Sequence, residues 1–430
     1  MPADISRRQW IQKSALGMVG VACAQRLAAA AAPVPAASYF LPPSSDASYW
    51  SQVQQAFVVG RDVMAMNHAG AGCLPRPVLD AVEHHVHEAE VLPSWNLFQY
   101  GPKEPIRASL ARMFACDHEE VAILRNATEA LDIVLLGLPL QAGDEVLTTT
   151  LDYWAMLDAL AQREKRDGIV VRKVRVPVPA KSQDELFQTI AEAVTDRTKL
   201  ILVSHPVNLT GQHFPVARIC EMAHARGIEV LVDAAQSFGQ FDITAGSLQC
   251  DYMGTSLHKW LMGPKGTGML YVKRDKIPKI WPLFGSGNTL PPDNIRKFEL
   301  IGTAPLTGYA LSEAIRFHQS IGTARIGERL KFLTQSWVDA LRANDRFEFW
   351  TSFAPGMSNV IATFHMKGTN SGEVWERLFR QEKILTFNVA RRTQEFQGIR
   401  VSLGLSTTAA ELDRFVTTLL RLARELPTQS

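Results

Sequence analysis

The chain lacks most of the features that would tie it to a specialised environment. Its 45 basic and 43 acidic residues leave a net charge of +2 over 430 residues. That charge gives no field to attract nucleic acid or an anionic membrane surface. No apolar run is long enough to span a bilayer; the N-terminal stretch 15–24 is short and rich in Ala and Gly. Cysteine is scarce, with only Cys23, Cys73, Cys116, Cys220 and Cys250, and none follows Cys250. Their scatter excludes a disulfide scaffold and a Cys/His zinc site, and predicts buried thiols instead. His84, His85 and His87 with Glu88 lie on a helical stretch and read as a solvated face, so no metal is expected. Internal repeats are absent. What remains is 46% hydrophobic and 20% charged, ordinary for a globular chain long enough for two cores.

The first forty residues do not read as fold. Ser6-Arg7-Arg8-Gln9-Trp10-Ile11 is a paired-arginine segment ahead of a mildly apolar stretch and an Ala/Pro-rich segment through Ala37. This layout predicts a twin-arginine export signal over residues 1–37. Ala30-Ala31-Ala32 and Pro35-Ala36-Ala37 are both suitable cleavage triplets. The twin-arginine translocation machinery, which exports folded proteins, is then an expected partner, and the periplasm the expected location.

From about residue 105, β-branched apolar runs alternate with amphipathic segments of helix length. The runs fall at 121–124, 145–149, 169–176, 200–204, 228–232, 252–255 and 268–272, and the helical patterns include 128–138, 153–166, 184–194 and 216–226. The alternation predicts an α/β domain with a seven-stranded, mostly parallel sheet covered on both faces. Residues 277–307 read as a connector. A smaller α+β region follows, with helical patterns at 309–342, 371–382 and 409–426 and strands near 360–365 and 398–402. Ligands of such sheets bind beyond the carboxyl ends of strands. Thr128, Tyr153, Asn208 and Asp233 each follow a strand end and are expected to face one crevice.

The chemistry concentrates in two motifs. Val232-Asp233-Ala234-Ala235-Gln236-Ser237 closes an apolar strand, and Ser256-Leu257-His258-Lys259 follows, with Lys259 26 residues after Asp233. A lysine amine can form a Schiff base with an aldehyde cofactor, and a buried carboxylate can keep a pyridine nitrogen protonated. Alone, Asp233 would read as a helix cap and Lys259 as a solvated loop residue.

With Gly263-Pro264-Lys265-Gly266-Thr267-Gly268, these motifs resemble the class V aminotransferases of pyridoxal phosphate (PLP) fold type I, and within them the isopenicillin N epimerase-like branch. The similarity runs from Asn67-His68-Ala69-Gly70 to Leu412-Asp413-Arg414. After the signal over 1–37, it implies an N-terminal segment over 38–66 packing with the small domain, a large PLP-binding domain over 67–295 and a small C-terminal domain over 296–430. By resemblance, Lys259 carries the cofactor and moves the α-proton, Asp233 faces the pyridine nitrogen, and Gln236 and Asn208 reach the ring oxygen side. Ala127, Thr128, Ser256 and His258 would hold the phosphate, at a helix start suited to anions. Thr303 matches a residue that reaches the phosphate of a neighbouring subunit, which implies a homodimer with shared sites. Tyr153 stands where many relatives place a stacking His. Arg400, with Asn67, matches the grip on the substrate α-carboxylate, for which a planar guanidinium is suited. Arg391 or Arg392 is a candidate for a second acidic group.

Cysteine desulfurases share this scaffold but use a loop cysteine between the lysine and the arginine, which this chain lacks. The expected reaction is therefore at the α-amino carbon of an amino-acid or peptide-linked substrate: transamination, epimerisation or decarboxylation. Exported members of this family tailor the glutamate side chain of pyoverdine-type siderophores, so the resemblance and the signal together imply that activity.

Overall fold

The computed structural model describes residues 47–60, 62–91, 103–300, 306–358 and 360–426. The export signal and Thr303 lie outside the described residues. In chain order the elements begin with helix α1 (Ala47–Gln55), strand β1 (Met64–Ala65), α2 (Arg76–Val91) and α3 (Lys103–Phe114). An alternating stretch follows: β2 (Val121–Leu124), α4 (Ala127–Gly137), β3 (Glu145–Thr149), α5 (Trp154–Asp167), β4 (Val170–Val174), α6 (Gln183–Ala193), β5 (Thr198–Ser204), α7 (Val216–His224), β6 (Glu229–Asp233), α8 (Ala245–Leu248), β7 (Tyr252–Ser256) and β8 (Gly268–Val272).

These strands form one sheet in the order β2-β8-β7-β6-β5-β3-β4. Only β8 runs antiparallel to its neighbours. The strands are apolar throughout because both faces are covered. Ile201, Val203, Val230 and Val232 join a core with Leu110, Phe114, Ile190 and Ile219 on one side. Their alternates Leu200, Leu202 and Leu231 face Leu131, Val134, Met156 and Leu160 on the other. The seven-stranded sheet expected from the sequence is the one observed.

The remaining elements are α9 (Leu311–Ile321), α10 (Thr323–Arg342), β9 (Phe347–Phe349), β10 (Ile361–Met366), α11 (Ser371–Arg380), β11 (Ile384–Leu385), β12 (Phe387–Asn388), β13 (Ile399–Ser402) and α12 (Ala409–Glu425). Strands β12-β13-β10-β9 make a smaller antiparallel sheet. Trp337 of α10 and Phe415 of α12 cover it, packing with Phe364. The helical pattern expected over 309–342 is broken. Gly322 adopts φ +92°, a conformation only glycine takes cheaply, and splits it into α9 and α10. Leu311 and Ile315 of α9 pack on the large-sheet core. The connector is also partly ordered. Ile295 and Phe298 are buried there, and Glu299 accepts hydrogen bonds from Arg107 and the Ile123 amide.

Candidate active site

The carboxyl ends of the parallel strands converge on a cavity of about 220 Å³. Ala127, Thr128, Tyr153, Asn208, Asp233, Gln236, Ser256, His258 and Lys259 all line it. So do Ser204 and Pro206, which the sequence did not single out. Nine of the candidate residues, from five different loops, thus share one wall system.

Asp233 ends β6. Its Oδ1 accepts the Ala235 amide at 2.9 Å, and no protein donor reaches Oδ2 among the described residues. Burial pushes its pKa up to about 6, although the Ala235 amide and the charge of Lys259 oppose this. The Lys259 amine has no hydrogen-bond partner among the described residues. Burial lowers its pKa to about 8, against the pull of Asp233 and with a push from Arg400. A lysine with that proton affinity is available as a nucleophile and base near neutral pH.

Helix α4 presents its N-terminus to the cavity. Asn126 caps it by accepting the Glu129 amide, and Ser256 Oγ accepts the Ala127 amide at 2.9 Å. The Thr128 amide and hydroxyl keep no protein partner among the described residues, so two donors remain for an anion. Gly268 lets β8 run against this turn, since a Cβ there would meet the Asn126 backbone at 2.6 Å. His258 donates from Nδ1 to the Thr267 carbonyl at 3.2 Å, and burial lowers its pKa. Gln236 is oriented by Trp260, whose indole N–H donates to its Oε1 at 3.0 Å. Its amide nitrogen donates to Ala69 O at 3.1 Å and has a second N–H to spare.

Arg400, on β13 of the small sheet, and Asn67 do not line this cavity, but Arg400 lies close enough for its charge to act on Lys259. Arg400 is only 4% exposed, yet no carboxylate pairs with it among the described residues. One terminal nitrogen donates to Asn208 O at 2.9 Å and the other to Asn67 Oδ1 at 2.6 Å. Its face lies 4.5 Å over Phe387, and its Nε is left without a partner. Burial lowers its pKa to about 10. Asn67 therefore steadies this arginine. The segment around Asn67 is pinned to β13, with the Ala69 amide donating to Ser402 Oγ. Three residues later the Gly72 amide donates to His258 O, and a Cβ on Gly72 would lie 2.3 Å from Lys259 O. Arg391 and Arg392 do not line the cavity; they stack over Trp375 and over Trp154, the neighbour of cavity-lining Tyr153, respectively.

A further residue, also not singled out from the sequence, is Asp152, buried between β3 and α5. Its carboxylate accepts from Thr148, Thr149 and Ser204. The available sequence signal was an acidic residue directly before Tyr153, at a strand's carboxyl end.

A model of the family described as aminotransferase class-V matches residues 67–415. The chain belongs to this family. It is 29% identical over 398 residues to isopenicillin N epimerase of Amycolatopsis lactamdurans, covering 88% of this chain and 100% of that protein. To a probable cysteine desulfurase of Synechocystis sp. it is 25% identical over 386 residues, covering 84% and 91%. Among solved structures, C-DES with glycine covalently linked to its PLP cofactor superposes with a TM-score of 0.75. That match covers 84% of this chain and 97% of C-DES at 24% identity, and it bears on the fold.

Class V aminotransferases work through PLP, and this chain is a PLP-dependent enzyme of that family. The residues present fit the cofactor. Lys259 would carry it, Asp233 Oδ2 would accept a hydrogen bond from its protonated ring nitrogen, and the Thr128 donors at the start of α4 would hold its phosphate. Asn208 Oδ1, buried without a partner, is a further group that a ligand would satisfy. The four cysteines among the described residues are all free thiols.

Proposed function

We propose that this enzyme acts at the α-amino carbon of an amino-acid or peptide-linked amino-acid substrate. In this reading it is exported folded through the twin-arginine pathway and tailors the glutamate side chain of a pyoverdine-type siderophore in the periplasm. The observation that carries the α-carbon reading is Arg400. A buried guanidinium without a counter-ion is costly, and an arriving carboxylate relieves that cost with two charge-assisted hydrogen bonds. Lys259 then holds or moves the proton at Cα through Nζ, and Asp233 keeps the proton on the ring nitrogen. Bound PLP supplies the ring that withdraws the electron pair left at Cα.

Desulfurase chemistry is disfavoured because no cysteine follows Cys250. Cys73 does not line the cavity, and burial raises its pKa. The paired Arg7-Arg8 segment supports export, and Thr303 supports a homodimer with shared sites. A second reading, epimerisation of a peptide-like substrate, is favoured by the similarity to isopenicillin N epimerase.

The test has two parts. Borohydride reduction of the isolated protein should label the peptide holding Lys259, and an unlabelled peptide would sink the assignment. Deleting the gene in a siderophore-producing strain should change the side-chain distribution seen by mass spectrometry. An unchanged distribution, with α-proton exchange into heavy water on other amino acids, would favour the second reading.

A further inference from the structure

We infer that Asp152 is a positioning residue that, through Ser204, turns the inner end of the cavity into an acceptor-only surface and so selects a protonated ring nitrogen. The inference rests on PLP occupying the cavity.

Asp152 is 5% exposed and has no Lys, Arg or His within ion-pair distance among the described residues. Its Oδ2 accepts the Thr148 hydroxyl at 2.6 Å, the Thr149 amide at 2.8 Å and the Thr149 hydroxyl at 2.9 Å. Its Oδ1 accepts the Ser204 hydroxyl at 2.5 Å. Four neutral donors on one buried carboxylate are more than loop closure requires. A buried charge without a cation is expensive, and an asparagine would close the same turn without it.

Burial raises the pKa of Asp152, and its hydrogen bonds from Ser204, Thr148 and Thr149 oppose that rise by favouring the carboxylate. The carboxylate form matters at Ser204. A serine hydroxyl has one proton, and here it is given to Asp152, so Ser204 presents only lone pairs to the cavity it lines. The parallel pairing of β5 with β6 sets Ser204 directly beside Asp233. Asp233 Oδ2 adds a second acceptor with no protein donor upon it. A neutral pyridine nitrogen would meet two sets of lone pairs there, whereas a protonated one donates to them. An asparagine at 152 would turn an N–H2 toward Ser204 and free its hydroxyl to donate into the cavity. The Asp152 charge also contributes to the raised pKa of Asp233, which makes that carboxylate a better proton partner.

The experiment compares binding of PLP with that of its 1-deaza analogue, in which a C–H replaces the ring nitrogen, by absorbance titration of the apoenzyme. The wild type should prefer PLP. Asp152→Asn should cut that preference by about tenfold, the effect of about one hydrogen bond's net free energy. It should leave affinity for the deaza analogue within about twofold. Ser204→Ala, which removes the relay and keeps the carboxylate, should cut the preference by about threefold and serves if Asp152→Asn fails to fold. An unchanged preference in a folded variant, even with a lower melting temperature, overturns the inference while leaving PLP binding standing. A wild type that binds neither compound overturns the cofactor reading and this inference with it.

Discussion

Replacing Arg400 by methionine separates what this residue does for the fold from what it does for a ligand. Its guanidinium is buried, and its pKa falls from an ordinary 12.5 to about 10. At about 1.4 kcal/mol for each pH unit of displacement, the charged form is penalised by about 3 kcal/mol. Against this stand its hydrogen bonds to Asn208 O and Asn67 Oδ1, worth about 1.5–3 kcal/mol each because the donor is charged. Methionine keeps contact with Phe387 and removes the charge, so the burial penalty and the lost bonds largely offset and the apoprotein should lose no more than about 3 kcal/mol in urea unfolding. Carboxylate binding should move the other way. Two charge-assisted bonds at about 1.5–3 kcal/mol each predict a loss of about 10²–10⁴-fold in affinity for amino acids, read from cofactor absorbance. Cofactor affinity should hardly change. Destabilisation well beyond about 3 kcal/mol, or retained carboxylate affinity, would refute the view that this cation waits for a substrate anion.

Gly72→Ala should destabilise the protein by about 1–3 kcal/mol and lower cofactor retention, because the new methyl would overlap the Lys259 carbonyl. Wild-type retention in that variant would mean the 67–72 segment has no role in seating the lysine. Acid sensitivity should follow from His68, His205 and His213, whose pKa values burial lowers to about 4, 4 and 3. The unfolded chain takes up these protons near pH 6.5 and the folded chain does not, so stability present above pH 6.5 is lost as pH falls toward 4. His213→Leu should flatten that slope in urea midpoints measured from pH 7 to 4.5. An unaltered slope would assign the acid limb to other groups.

The large sheet was legible because its strands are buried on both faces and so read as unbroken apolar runs. Alternation with helices then implied the parallel order. The break at Gly322 was not read because apolar periodicity continues across it, and only the backbone conformation reveals the turn. Strands β1 and β11 have two residues each and exist only through pairing with each other across the length of the chain, as Met64 does with Ile384. At the site, Lys259 and Asp233 stood out by residue type and spacing. Arg400 did not, since a lone arginine in a strand ordinarily faces water; its burial is decided by Asn67, 333 positions away. Asp152 and Ser204 escaped notice for a similar reason. Their link joins the ends of two adjacent strands separated by 52 residues of sequence.

The strip from Asn67 to Gly72 touches the guanidinium at one end and the backbone of the reactive lysine at the other. It works as a ruler, fixing the spacing between anion grip and amine through six residues of chain rather than through the packing of two sheets. A change in how the sheets lean on each other would therefore leave that spacing intact. An insertion or deletion of a single residue between positions 67 and 72 would lose it at once.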